Sequence, residues 1–235
     1  MIKDKSSFSN KHQFYGRRKG YSLSLLRKNL LNELLPKLLI DTESSSLIIP
    51  SLYFKKNNEI WLEIGFGAGE HLAAQAARYP DVGFIGCEPY VNGVAKLLSE
   101  IKKKSLNNIR LHNDDARLLL EKLAPASINK VFVLFSDPWP KKRHNRRRFI
   151  NYENLNALSR VMKNFANLRF ATDDMGFARW ALSMFYQHPD FHWLVDGPED
   201  WRNRYVDALS TRYEKKAIKR GQKCVYLTFQ RCARN

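Results

Sequence analysis

The apolar positions of this chain change rhythm along its length. Leu23, Leu26, Leu30, Leu34 and Leu38 recur at helical spacing, which predicts one helix over residues 23–40. From Glu59 onward, short apolar runs alternate with helical periods. Ile60 to Ile64 is too short for a helix and reads as a buried strand, and a glycine-rich turn follows it at once. The pattern then predicts a helix over 69–78, a strand over 84–87, a helix over 91–104 and a short strand at 109–111. A helix over 115–123, a strand over 130–135, a helix at 150–163, a strand over 168–171 and a helix over 174–187 continue the alternation. The end differs, with a weak strand at 191–195, a charged helix at 208–220 and a closing strand over 224–229. Alternating strands and helices imply a mainly parallel α/β sheet with helices on both faces, which binds ligands at the carboxyl ends of its strands.

The strand-terminal loops therefore hold the candidate chemistry. The first, Glu63-Ile64-Gly65-Phe66-Gly67-Ala68-Gly69, combines an acid with glycines that permit a tight turn and a close backbone approach to a ligand. Glu88 ends the second strand, nineteen residues after Gly69, where a carboxylate can accept both hydroxyls of an adenosine ribose. Asp115, with Ala116 beside it, follows the third strand at the place of the adenine, and Asp137 follows the fourth. A dinucleotide site would show GxGxxG, but Glu70 occupies the position of its last glycine. A carboxylate there also repels a pyrophosphate from the positive helix end. S-adenosylmethionine has no phosphate, and its sulfonium and ammonium suit an acid such as Glu63. The set favours the methyl donor, although a plain turn and surface acids account for any one of these residues alone.

Composition narrows the partner. The 235 residues carry 40 Lys and Arg against 23 Asp and Glu, a net charge of +17 that points to a polyanion. Ribosomal and membrane-surface proteins are basic too, so charge alone names no function. The first twenty residues hold six basic residues and one acid among Ser, Asn and Gly, which predicts a mobile basic arm over 1–22 and a single domain over 23–235. Cys87, Cys224 and Cys232 form no CxxC pair, so a reducing, cytoplasmic setting is expected. The N-terminus carries no apolar run resembling a signal peptide, and no stretch reaches the length of a membrane span. The six histidines show no metal-ligand spacing, so no metal is expected; His71 reads as helix surface or packing.

The fourth strand runs into Ser136-Asp137-Pro138-Trp139-Pro140 and then Lys141-Lys142-Arg143-His144-Asn145-Arg146-Arg147-Arg148, with six cations in eight residues. A charge run is usually a solvated helix face, but beside a strand-end loop in so basic a chain it reads as phosphate binding. DPWPKKRH followed by RRRF, after LEIGFGxGEHL and GCEPYxxGV, closely resembles the bacterial tRNA (guanine-N7)-methyltransferases. Asn113 to Arg117, Ala171-Thr172-Asp173, Thr211 to Glu214 and Gly16 to Gly20 extend the likeness over nearly the whole chain. Ser136 stands where the family commonly has Pro, which holds the strand end less rigidly but leaves the acidic and basic positions intact.

The resemblance implies a class I methyltransferase (Rossmann-like) fold of seven strands, with S-adenosylmethionine as donor and tRNA as partner. It implies methylation of N7 of guanine 46 in the variable loop. By the same resemblance Glu63, Glu88, Asp115 and Asp137 match donor-binding positions, and Gly65, Gly67, Gly69 and Ala116 of the same loops are donor-site candidates beside them. Attack by N7 needs no base but gains from negative charge beside the forming cation, which makes Asp137 the catalytic candidate. Lys141, Asp173, Thr211, Arg212, Tyr213 and Glu214 match substrate-binding positions, and Arg143, His144, Asn145, Arg146, Arg147 and Arg148 match an RNA-contacting run. No protein partner is implied. Two rivals stand beside this reading: a class I RNA methyltransferase acting on another base atom, and a non-catalytic RNA-binding module on the same fold. N6-adenine and N4-cytosine enzymes usually carry an NPPY-like segment where this chain has SDPW.

Overall fold

The computed structural model describes residues 13–43, 46–54 and 59–234. Seven strands form one sheet: β1 (Glu59–Ile64), β2 (Val82–Cys87), β3 (Ile109–His112), β4 (Ile128–Leu134), β5 (Met162–Thr172), β6 (Phe191–Trp193) and β7 (Val225–Arg231), in the order β3-β2-β1-β4-β5-β7-β6. β1 pairs in parallel with β2 and β4, β2 with β3, and β4 with β5. Only β7 runs antiparallel to its neighbours, β5 and β6. The strand order reverses between β1 and β4, so their carboxyl ends open a crevice at the switch point.

The helices among the described residues are α1 (Leu25–Glu33), α2 (Leu35–Leu38), α3 (Glu70–Arg78), α4 (Val91–Lys104), α5 (Ala116–Lys122), α6 (Tyr152–Val161), α7 (Met175–Gln187), α8 (Glu199–Arg202) and α9 (Arg212–Lys219). Strand alternation feeds two apolar layers. Ile60, Leu62 and Ile64 of β1 join the layer of α5, α6 and α7, whereas Trp61 joins that of α1, α3 and α4. Side-chain period two then puts Glu63 on the Trp61 face, toward α3 rather than along the strand into the crevice.

Three local expectations change. The single helix over 23–40 is two, because Pro36 lacks the N–H that would continue α1. The chain beyond it turns onto the sheet, where Ile40 N–H donates to Leu111 O at 2.9 Å and covers the open edge of β3. The helix at 150–163 ends at Val161, and β5 begins at once with Met162. Met162 pairs with Ile128 and Asn167 with Lys130, so the intervening residues bulge out at the exposed Phe165, which has φ 63°. The charged helix at 208–220 starts at Arg212, because Thr211 caps it by accepting the Glu214 N–H at 3.2 Å.

Candidate active site

A crevice of about 870 Å³ opens at the carboxyl ends of β1, β2, β3 and β4. Among the predicted residues, Gly65, Gly67, Glu88, Asp115, Ala116 and Asp137 line it, as do Arg146, Arg147, Arg148, Arg212 and Tyr213. Glu63, Gly69, Lys141, Asp173, Thr211, Glu214, Arg143, His144 and Asn145 are not in its wall.

The glycine turn is held from the ligand side. Gly67 has φ 59°, and its N–H donates to Glu88 Oε2 at 2.6 Å; Glu88 Oε1 accepts from Tyr90 N at 2.9 Å. Each carboxylate oxygen keeps lone pairs for a further donor. Burial pushes the Glu88 carboxyl up to about 7, against the two N–H donors, and nearby Asp137 adds to the rise. Gly69 has φ 76° at the N-terminus of α3, where a side chain would strike Leu97.

Glu63 has a different setting. Its Oε2 lies 2.7 Å from His71 Nδ1, and both side chains are buried between β1 and α3. His71 Nε2 has no hydrogen-bond partner among the described residues, and the ring packs edge-on to Phe132 with centroids 4.8 Å apart. The helix-surface alternative for His71 is thereby corrected: a carboxylate buried on this face requires a polar partner, and His71 supplies it.

Asp115 caps α5 by accepting the Arg117 N–H at 3.0 Å, and the Arg117 guanidinium grips the same carboxylate, with its closest contact at 2.5 Å. Glu214 is also engaged: buried, it accepts from the Tyr226 hydroxyl at 2.5 Å and from Arg204 at 3.3 Å. Glu214 therefore fastens α9 to β7 while Thr211 caps the helix, and Arg212 and Tyr213 project over Gly67, with Tyr213 3.2 Å from where a Gly67 Cβ would stand. Asp173 is half-buried at the end of β5, and its neighbour Asp174 caps α7.

Beyond β4 the chain is strained. Phe135 and Trp139 both have positive φ, 52° and 44°, which costs about 1–3 kcal/mol each for residues with a side chain. Asp137 projects into the crevice, where loss of solvent raises its carboxyl above the ordinary value. Lys142–Arg147 is a 3-10 turn. Lys141, Arg143 and Arg146 on and before it are exposed, whereas His144 is half-buried beside Trp139 with ring centroids 6.0 Å apart. Arg147 lies over the rings of both Tyr15, at 4.2 Å, and Trp139, at 4.9 Å. Arg148 is buried at 5% exposure and donates from Nε to Pro138 O at 2.7 Å.

Residues 13–22 of the predicted arm pack against the crevice; residues 1–12 lie outside the described residues. Val91 N–H donates to Arg18 O at 3.0 Å, Gly20 N–H to Asn92 Oδ1 at 2.9 Å, and Arg18 pairs with Asp114 at 2.9 Å. Gln13, Tyr15, Arg17 and Tyr21 line the opening. Sequence reasoning missed this covering segment, because its partners lie some seventy to a hundred residues away and no local period marks them.

Residues 57–227 match the family described as "Putative methyltransferase". The chain belongs to this methyltransferase family. A tRNA (guanine-N(7)-)-methyltransferase of Rhodospirillum rubrum is 46% identical over 223 residues, covering 93% of this chain and 88% of that protein. One of Bartonella quintana is 44% identical over 219 residues, covering 92% and 94%. Among solved structures, an rRNA methylase from Streptococcus thermophilus is similar in fold, with TM-score 0.52, 12% identity and 77% and 92% coverage. A 16S rRNA methyltransferase gives TM-score 0.53, 16% identity and 78% and 92% coverage. The seven-stranded class I methyltransferase fold expected from the sequence is therefore the fold of this methyltransferase. Among the described residues no helix is long and apolar enough to cross a membrane.

Proposed function

We propose that the protein transfers a methyl group from S-adenosylmethionine to N7 of a tRNA guanine, at position 46 of the variable loop. The observation that carries this is the setting of Asp137. It faces the crevice that Glu88 and the glycine turn line, at the root of an exposed cationic turn able to hold RNA phosphates. The crevice fits the donor: the Gly65 backbone leaves room for its methionine end, and Glu88 has lone pairs left for the ribose hydroxyls. When bound, the donor supplies an electrophilic methyl group on a sulfonium. Guanine N7 carries a lone pair and no proton, so attack requires no base. Alignment and negative charge beside the developing cation are then what the protein contributes, and Asp137 provides that charge.

The test is mass spectrometry of nucleosides from unmodified tRNA incubated with protein and donor. The reading predicts 7-methylguanosine at one variable-loop position; a product methylated elsewhere on a base, or none, overturns it.

A pH dependence follows from Glu88. Its carboxyl, raised to about 7, holds a proton below that pH, and the ribose hydroxyls donate best to the ionised form. Donor affinity should be full above about pH 7 and fall below it by up to about tenfold per unit, since binding lowers the carboxyl pKa. Glu88→Gln should bind weakly and without this limb. Calorimetric titration of both proteins from about pH 6 to about pH 9 reads the difference.

A further inference from the structure

We propose that Arg148 is a positioning residue of the Asp137 loop rather than a phosphate contact. It closes the cationic run in sequence, yet its surroundings differ from those of the exposed cations of that run. Arg143 and Arg146 are exposed, and Arg148 is buried. Its guanidinium packs at 5.3 Å from the Phe177 ring and 5.2 Å from the Trp180 ring, both on α7. A cation enclosed by aromatic rings on one side and bonded to a carbonyl on the other has little surface left for a phosphate.

What it holds needs holding. Pro138 and Pro140 have no N–H, so the loop that carries Asp137 cannot fasten itself through those donors. Among the described residues, the hydrogen bond that reaches the 137–140 backbone comes from Arg148 Nε to Pro138 O. Trp139 sits in the left-handed region within this loop, and such a conformation persists only where its neighbours impose it. Tyr15, Arg147 and His144 pack against the Trp139 ring, and Arg148 secures the peptide beside it. The segment after Arg148 is anchored in turn, because Asn151 Nδ2 donates to Arg148 O at 3.0 Å and Trp180 Nε1 to Ile150 O at 2.7 Å. Arg148 thereby links α7 to the carboxylate next to the reacting atoms without touching them. The inference rests on the reading of this crevice as a methyl-transfer site.

The side-chain lengths provide a test. Glutamine places its Nε2 the same number of bonds from the backbone as the Nε of arginine, so Arg148→Gln keeps a donor for Pro138 O and removes the charge. Arg148→Met removes both. Single-turnover rates at saturating tRNA and donor, and the salt dependence of tRNA binding, are measured for both variants and for Arg146→Met. As a positioning residue, Arg148→Met loses about tenfold to a hundredfold in rate, the value of one charge-assisted bond. Arg148→Gln recovers most of that rate, and both keep the wild-type log–log salt slope, whereas Arg146→Met flattens it by about 0.9. A slope flattened equally in Arg148→Gln and Arg148→Met, with equal rates, overturns the proposal. If Arg148→Met does not fold, Arg148→Gln decides alone: wild-type slope supports the assignment and a flattened slope refutes it. If wild-type protein transfers no methyl group, the reading of the crevice fails, while the salt slopes still decide on Arg148.

Discussion

Replacing Glu88 with Ala is expected to weaken donor binding by about two orders of magnitude or more, with tRNA affinity within about twofold of wild type. Each ribose hydroxyl loses a charged acceptor, and such bonds contribute about 1.5–3 kcal/mol each. A second loss compounds the first. Glu88 also accepts the Gly67 and Tyr90 N–H groups, so the variant releases the glycine turn that the donor's methionine end must contact. Glu88→Gln separates the two effects, since its one carbonyl oxygen can still accept from one N–H while the amide nitrogen cannot. Calorimetric titration with donor ranks the three proteins: wild type tightest, Glu88→Gln intermediate, Glu88→Ala weakest. Unchanged affinity in Glu88→Ala would remove Glu88 from the donor site.

The same carboxylate shows why much of this site was legible in the sequence. Glycines after a strand, an acid at the next strand end and a further acid after β4 are local signals, because the end of a parallel strand and its following loop are fixed by chain order. The crevice brings Gly65, Gly67, Glu88, Asp115 and Asp137 together on that basis. Alternation places Glu63 on the same face of β1 as Trp61, but a strand apolar on both faces does not show what either face packs against. Glu63 precedes the same glycine turn, yet strand alternation directs it to His71 on α3. Arg148 and Glu214 carry the same lesson. Each lies in a segment whose neighbours face the crevice or solvent, and each is claimed by a long-range partner, Pro138 O in one case and the Tyr226 hydroxyl in the other. Burial of a charge is decided by tertiary packing, which a run of like residues does not encode. Chain breaks divide in the same way: the break at Pro36 has a local cause that the single helix expected over 23–40 passed over, whereas the bulge at Phe165 depends on pairing with β4.

The mechanism predicts different fates for two residues seven positions apart, Asp137 and His144. Asp137→Asn should lower the single-turnover rate by about a hundredfold or more, the scale found for removal of one preorganised group facing developing charge. The substitution keeps shape and removes the negative charge beside the forming guanine cation. His144→Asn should keep the rate within about threefold at saturating tRNA, because no proton leaves N7 and no base is required. His144 is a fair rival on charge state. Desolvation and the positive charges of Arg147, Arg143, Lys141 and Arg146 hold its imidazole below the ordinary value, so it is neutral and could accept a proton. Its ring instead braces Trp139. The pH profile separates the two residues. Desolvation raises the Asp137 carboxyl above its ordinary value, so the charged form is lost as pH falls through that raised value and the rate falls with it. That acidic limb should persist in His144→Asn and vanish in Asp137→Asn. Were the limb to vanish in His144→Asn, with the rate collapsing there and Asp137→Asn near wild type, a histidine base would be indicated, and with it a target atom that bears a proton.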